Sequence, residues 1–255
     1  MKQRRVRVQV CGRLAVEVSA TRCDHLLPGR QGRLLLTYLV LHRHEPITRD
    51  QLVDSLWPGG DRPEAAETAI YALLSKTRTA LGSDLLSARG PVQLNLPPDA
   101  WIDLEAARDA AHRAESALAQ SDWSRAWAAA QTSLFISRRG FLPEEDLHWV
   151  MPVRRELEDI YLRSLETYTA AALNLGGTEL ATAERASREL VAAAPFRESG
   201  HRLLMHALTD RGNTAEALIV YDELCRILRA ELGVSPSTAT RKLHTTILTE
   251  QADPA

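Results

Sequence analysis

Ala183 and Ala217 stand 34 residues apart, and at the same offset Leu190 meets Leu224. Gly177 and Gly212 precede the two segments at similar distances. An apolar pattern that returns at an interval of this size marks one supersecondary unit used more than once, because a single unit cannot bury its own apolar face. The stretch Gly212 to Leu224 reads as an entering turn followed by a helix, and Pro195 stands where one unit hands over to the next. No other feature of the 255 residues restricts the fold as much. The C-terminal part is expected to be helical hairpins stacked on one apolar seam, filled by Trp123, Trp127, Tyr161, Tyr168 and Tyr221.

The rest of that half also reads as helix. One helix begins at Asp103-Leu104-Glu105 and continues through Leu118, and another runs from Asp122 to about Ser137. Residues 138–152 contain Gly140, Pro143 and Pro152 and are expected to form a loop. A long helix is predicted from Val153 to Leu175, ended by Gly176-Gly177.

The N-terminal hundred residues have a different grammar. Val6–Val10 and Leu14–Val18 alternate with period two around the turn Cys11-Gly12-Arg13, which predicts a hairpin. A third short strand is expected near Cys23 to Leu27, and then a mostly buried helix from about Gln31 to His42. Thr48-Arg49-Asp50-Gln51 has the form of a capping box and opens a second helix that stops at Trp57-Pro58-Gly59-Gly60. A third helix is predicted from about Glu64 to Leu81, closed by Gly82. Leu85–Ala88 and Val92–Leu96 then flank Arg89-Gly90-Pro91 as a second hairpin.

The third helix is the informative one. Ile70, Leu73, Leu74, Thr77 and Leu81 share one face at helical spacing. The opposite face carries Glu64, Thr68, Ala72, Ser75, Lys76 and Thr79, with Arg78 and Tyr71 on a flank. Small and hydroxylic side chains with a cation can approach a major groove closely. Ser and Thr can bond bases or phosphates, Ala can touch a thymine methyl, and Lys or Arg can take guanine or phosphate. By itself the face also suits an ordinary solvated helix. Strands, three helices and a terminal hairpin, in that order, turn it toward a winged helix-turn-helix, with Arg89 at the tip of the wing suited to a narrow minor groove.

Charge divides along the same line. The formal net charge is −2, but residues 1–100 carry 14 Lys+Arg against 10 Asp+Glu, net +4, and residues 101–255 carry 17 against 23, net −6. A basic front and an acidic back suit a DNA-reading domain joined to a protein-binding one. The longest apolar run, Leu34 to Leu41, is too short to span a membrane, and the N-terminus has no apolar stretch before a cleavage site. Three cysteines, Cys11, Cys23 and Cys225, include no CxxC pair, which points to a reducing, cytoplasmic setting. No phosphate loop, nucleophile elbow, metalloprotease or calcium-loop pattern is present. His42 and His44 lack nearby partner ligands, His201 and His206 are poorly spaced for one metal, and Glu144-Glu145-Asp146 reads as a solvated turn. Neither an enzyme, nor a metal, nor a cofactor is expected.

Ile47–Trp57, Ser75–Leu81 and Ala88–Pro91 resemble an OmpR-type winged helix, and more closely the antibiotic regulatory proteins of actinomycetes, the SARP family. Ala194–Leu208, Gly212–Tyr221 and Ala230–Ser237 look like the bacterial transcriptional activator domain that follows the winged helix in those regulators, and Gly212–Leu224 is similar to the second helix of a tetratricopeptide unit. The resemblance implies a mixed fold, an N-terminal α+β winged helix-turn-helix over residues 1–100 followed by an all-α TPR-like domain over 101–250, with 251–255 a disordered tail. It implies a sequence-specific DNA-binding regulator that recruits RNA polymerase at promoters with direct repeats, bound as a homodimer or in tandem. By position, Thr68, Ala72 and Lys76 fall where groove-facing residues lie, Arg78 where a backbone-contacting cation lies, and Arg89 where the wing arginine lies. Thr48, Arg49 and Trp57 fall at the phosphate-contacting ends of the second helix, and Pro58–Pro63 in the loop presented to polymerase. The chain departs from the pattern in Thr77, where a core Leu is expected, and in having only two cations on the third helix. Two other functions fit the sequence: an interaction scaffold that has lost DNA binding, and a regulator that senses a ligand through its helical half.

Overall fold

A computed structural model of the chain describes residues 5–59 and 62–252. It divides into two compact units. The first is the stretch up to Ala106 together with Arg139–Leu157; the second is Ala107–Arg138 together with the chain from Glu158 onward.

The first unit opens with β1 (Val6–Gln9) and β2 (Ala15–Val18), antiparallel with Val6 opposite Val18 and Val8 opposite Val16. Alternation puts Val6, Val8 and Val16 on the buried face, each 1% exposed. Next come β3 (Thr21–Arg22), α1 (Gly29–Leu41), α2 (Arg49–Leu56), α3 (Ala66–Leu81), β4 (Leu86–Ser87), β5 (Gln93–Leu94) and β6 (Trp101–Ile102). One sheet runs β3-β2-β1-β6 and the other pairs β4 with β5. Parallel pairing of β6 with β1 places Val8 beside Ile102. Leu34, Leu35, Leu36 and Leu39 of α1 are buried against this framework, as the apolar body of that helix requires.

The third strand differs from expectation. It lies at Thr21–Arg22, and Asp24–Leu26 form a single 3-10 turn instead of strand. The Asp24 carboxylate is the cause: it accepts from the Val16 amide at 3.3 Å and from the Arg22 guanidinium at 2.6 and 2.9 Å. A side chain that takes up local donors in this way bends the backbone out of a ladder.

Residues 138–152, expected as a loop, supply core to this unit. Phe141, Leu147 and Trp149 are buried there, and the Trp149 indole N–H donates to the Ser55 carbonyl at 3.0 Å. Tyr38 and Phe141 both meet the Trp149 ring edge-on. Asp103, wholly buried, accepts from the Val10 and Cys11 amides at 2.8 and 3.1 Å, with an Arg139 nitrogen 3.8 Å away. Burial pushes the Asp103 carboxyl above its ordinary value, although both amides and Arg139 oppose the shift.

Helices carry the second unit, two of them, α4 and α6, beginning within residues of the first: α4 (Asp103–Ala119), α5 (Trp123–Ser137), α6 (Val150–Leu175), α7 (Leu180–Ala193), α8 (Glu198–Asp210), α9 (Thr214–Ile227) and α10 (Thr238–Ala252). Helix α6 begins three residues before the expected start and takes in Pro152. In the first helical turn proline lacks only an N–H that would have no intrahelical partner. The repeat is visible in the packing: Ala183 and Leu190 on α7, and Ala217 and Leu224 on α9, are all fully buried. Ala172, Ala183 and Ala207 form one core patch, so small residues let these helices approach closely. Trp127 stacks on Tyr168, Tyr161 and Tyr168 pack against Leu134, Leu165 and Leu190, and Tyr221 packs beside Met205 and Leu208 while stacking on His244. Trp123 stands half-buried at the start of α5. Of the expected disordered tail, Gln251 and Ala252 finish α10, and residues 253–255 lie outside the described residues.

His201 is 2% exposed on α8, and its Nε2 lies 2.9 Å from the Pro195 carbonyl. Only an Nε2–H tautomer can donate there, which leaves the buried Nδ1 unprotonated and without a partner. Burial holds the imidazole below its ordinary value near 6.5, against the pull of Pro195, Glu198 and Glu223. A depressed folded value gives stability that is complete above about 6.5 and is lost as pH falls through the lower folded value. Thermal melts between pH 7.5 and pH 5 are therefore expected to show a loss of stability in the wild type that His201→Gln reduces. Parallel pH profiles for the two proteins would contradict this.

Candidate nucleic-acid interface

Local chemistry builds the site. The Thr48 hydroxyl accepts from the Gln51 amide at 3.2 Å while the Gln51 side chain accepts from the Thr48 amide at 2.9 Å, so the capping box closes and fixes the start of α2. Helix α3 ends at Gly82, whose φ of +101° lies in a region that other residues rarely adopt. The β4–β5 hairpin, the wing, is tied to the entry of α2 by reciprocal amide–carbonyl bonds between Ile47 and Val92, at 2.8 and 2.7 Å.

Helix α3 turns Ala66, Ile70, Leu74, Thr77 and Leu81 inward and leaves Leu73 half-buried. Thr68, Ala72, Ser75, Lys76, Arg78 and Thr79 are exposed, as is Arg89 on the wing. Those positions therefore share an open helix face and the adjoining hairpin. They are not chemically equal. Thr79 donates its hydroxyl to the Ser75 carbonyl at 3.0 Å, and Arg78 makes a long 3.4 Å bond to the Ser83 carbonyl. Among the described residues neither Lys76 nor Arg89 forms an ion pair, so both charges face solvent. Glu67 is exposed at the start of the helix and offsets part of that charge.

The residues expected at the ends of α2 lie in different settings. The Thr48 hydroxyl serves the cap. Trp57 is half-buried and ends the helix through its amide bond to the Val53 carbonyl. Arg49 turns its guanidinium to the wing, donating to the Ala88 and Gly90 carbonyls. Tyr71, which the sequence placed only on a flank, lies beneath that guanidinium and is still 56% exposed. Arg49 and Tyr71 have no mutual spacing that a sequence pattern could reveal.

Thr77 is wholly buried, and its hydroxyl has no hydrogen-bond partner. Valine has the same shape without the polar atom, and an unpaired buried hydroxyl costs about 1–3 kcal/mol. Thr77→Val is expected to stabilise the first unit by about 1 kcal/mol. An unchanged or lower urea midpoint would show that the hydroxyl is satisfied after all.

Among the described residues no group of three or more His, Cys, Asp or Glu is placed to hold a metal ion. No helix among them is long and apolar enough to cross a membrane.

The family model described as the bacterial transcriptional activator domain matches residues 102–248. Regulatory protein AfsR of Streptomyces griseus is 35% identical over 219 residues, covering 86% of this chain and 22% of AfsR. The transcriptional regulator RedD of Streptomyces coelicolor is 28% identical over 228 residues, covering 86% of this chain and 64% of RedD. Among solved structures, Mycobacterium tuberculosis EmbR, in complex with a low affinity phosphopeptide, superposes with a TM-score of 0.82 at 22% identity, covering 99% of this chain and 66% of EmbR. That likeness is one of fold. The chain spans about a fifth of the length of the AfsR relative, 22% of it.

The chain places a winged helix-turn-helix ahead of repeated helical hairpins, and the relatives it matches carry the names of regulators. The chain belongs to the bacterial transcriptional activator domain family, among the SARP-type regulators.

Proposed function

We propose that this chain is a sequence-specific DNA-binding regulator that activates transcription by holding RNA polymerase at its promoters. One observation carries the reading: Thr68, Ala72, Ser75 and Lys76 form an open face on α3 beside an exposed Arg89 on the wing. Seated in a major groove, α3 would offer hydroxyls to base edges or phosphates, the Ala72 methyl to a thymine, and Lys76 to guanine or phosphate. Arg89 would enter the neighbouring minor groove, where a narrow A·T-rich segment concentrates negative potential. The matched family is described as an activator domain and the RedD and AfsR relatives carry the names of regulators, which supports activation of transcription as the output. The segment 58–63 is the polymerase-facing candidate, although Gly60 and Asp61 lie outside the described residues. Two copies on directly repeated sites would bind head to tail, each reading one half-site.

Selection of bound sequences from a random duplex pool by the purified chain tests this. The expected product is a direct repeat whose affinity falls steeply between two salt concentrations, as phosphate contacts release counterions. No enrichment at any salt would leave the scaffold reading, with the helical unit as the place to seek partners.

A further inference from the structure

Arg49 opens α2, where a cation would ordinarily reach for solvent or a phosphate. Its guanidinium does neither. One terminal nitrogen donates to the Gly90 carbonyl at 2.8 Å and the other to the Ala88 carbonyl at 2.5 Å. The Tyr71 ring lies 4.9 Å from the guanidinium carbon, which gives the cation a π face to rest on. Its Nε is buried without a partner. Among the described residues no carboxylate pairs with Arg49.

The two carbonyls flank Arg89 on either side. A single planar fork therefore holds the Ala88–Arg89 and Gly90–Pro91 peptide units, which bracket the Arg89–Gly90 step of a turn where Gly90 takes φ +87°. Arginine suits the task and lysine does not, since only the guanidinium offers two parallel donors and a flat face for stacking. The same contact links the start of α2, the flank of α3 and the tip of the wing. A held wing tip loses less conformational freedom when its side chain docks in a groove than a loose one would.

We infer that Arg49, seated on Tyr71, is a positioning residue: it clamps the wing turn so that Arg89 is presented in register with the reading face of α3. The inference rests on the DNA-binding function proposed above. It replaces a phosphate contact for Arg49 with a role inside the reading head.

Two measurements test it, and the first needs no DNA. Amide hydrogen exchange over residues 86–94 is expected to quicken in both Arg49→Ala and Arg49→Lys, with α3 and the helical unit unchanged. Wild-type exchange of the wing in both variants would overturn the clamp, whether or not the protein binds DNA. The second is a double-mutant cycle on the selected duplex. Arg89→Ala is expected to weaken binding about tenfold in the wild-type background and less than about twofold in the Arg49→Lys background. Lys76→Ala is expected to cost the same in both backgrounds. Equal costs for Arg89→Ala in the two backgrounds would overturn the proposal, because Arg49 would then act as an independent contact that lysine replaces. A matching fall in the cost of Lys76→Ala would overturn it too, by making Arg49 a general support of the fold. Arg49→Lys keeps the charge and most of the side chain, so it remains informative should Arg49→Ala fail to fold.

Discussion

Asp103→Ala is expected to destabilise the N-terminal unit by about 3 kcal/mol or more, a large part of the stability of a domain this size. The carboxylate is wholly buried and accepts from two backbone amides, Val10 and Cys11, at the point where β1 leaves the sheet. Alanine leaves both N–H groups buried with nothing to bond, at about 1–3 kcal/mol each, and removes the negative charge facing Arg139. Because Asp103 directly follows β6, the same change loosens the junction that holds β6 beside β1. Asp103→Asn keeps one acceptor oxygen but turns an amide group toward backbone donors, so it should fall between wild type and alanine. Urea unfolding followed by tryptophan fluorescence provides the comparison. An alanine variant within about 1 kcal/mol of wild type would mean that water or a shifted backbone satisfies those amides.

What the sequence revealed and what it hid follow from the range of the interactions. The capping box at Thr48 and Gln51 was legible because both its partners lie within one turn. The faces of α3 were legible because a 3.6-residue period decides them, whatever packs against the helix. The 34-residue offset between Ala183 and Ala217 announced the helical repeat in the same way. By contrast, β6 is two residues long and pairs with a strand more than ninety positions away, so nothing local marks it as strand. Residues 138–152 have the glycine and prolines of a loop, yet Phe141 and Trp149 complete the core of the first unit. Composition says that such a segment is irregular; it does not say what the segment covers. Arg49 shows the same limit within the candidate site. Its residue type and position suit a phosphate contact, and only the folded wing brings two carbonyls to its guanidinium.

The largest functional effect is expected from reversing the two solvent-facing cations, Lys76→Glu together with Arg89→Glu. Their weight follows from how little other charge helps. Residues 1–100 carry a net charge of only +4, outweighed over the whole chain by 23 acidic against 17 basic residues beyond residue 100, so the charge of the chain as a whole gives a polyanion little long-range attraction. Binding must then depend on a few short-range contacts, and α3 offers only Lys76 and Arg78, the latter already bonded to the Ser83 carbonyl. Removing two favourable contacts and adding two repulsive ones should lower affinity for the selected duplex about a thousandfold or more near physiological salt. The slope of log affinity against log salt should flatten by about two, one for each lost phosphate or base-edge cation. Neither side chain is buried or ion-paired among the described residues, so the melting temperature should barely move, and the loss can be assigned to the interface rather than the fold. Affinity within about tenfold of wild type would place DNA on another surface of the molecule and withdraw the reading role from α3 and the wing together.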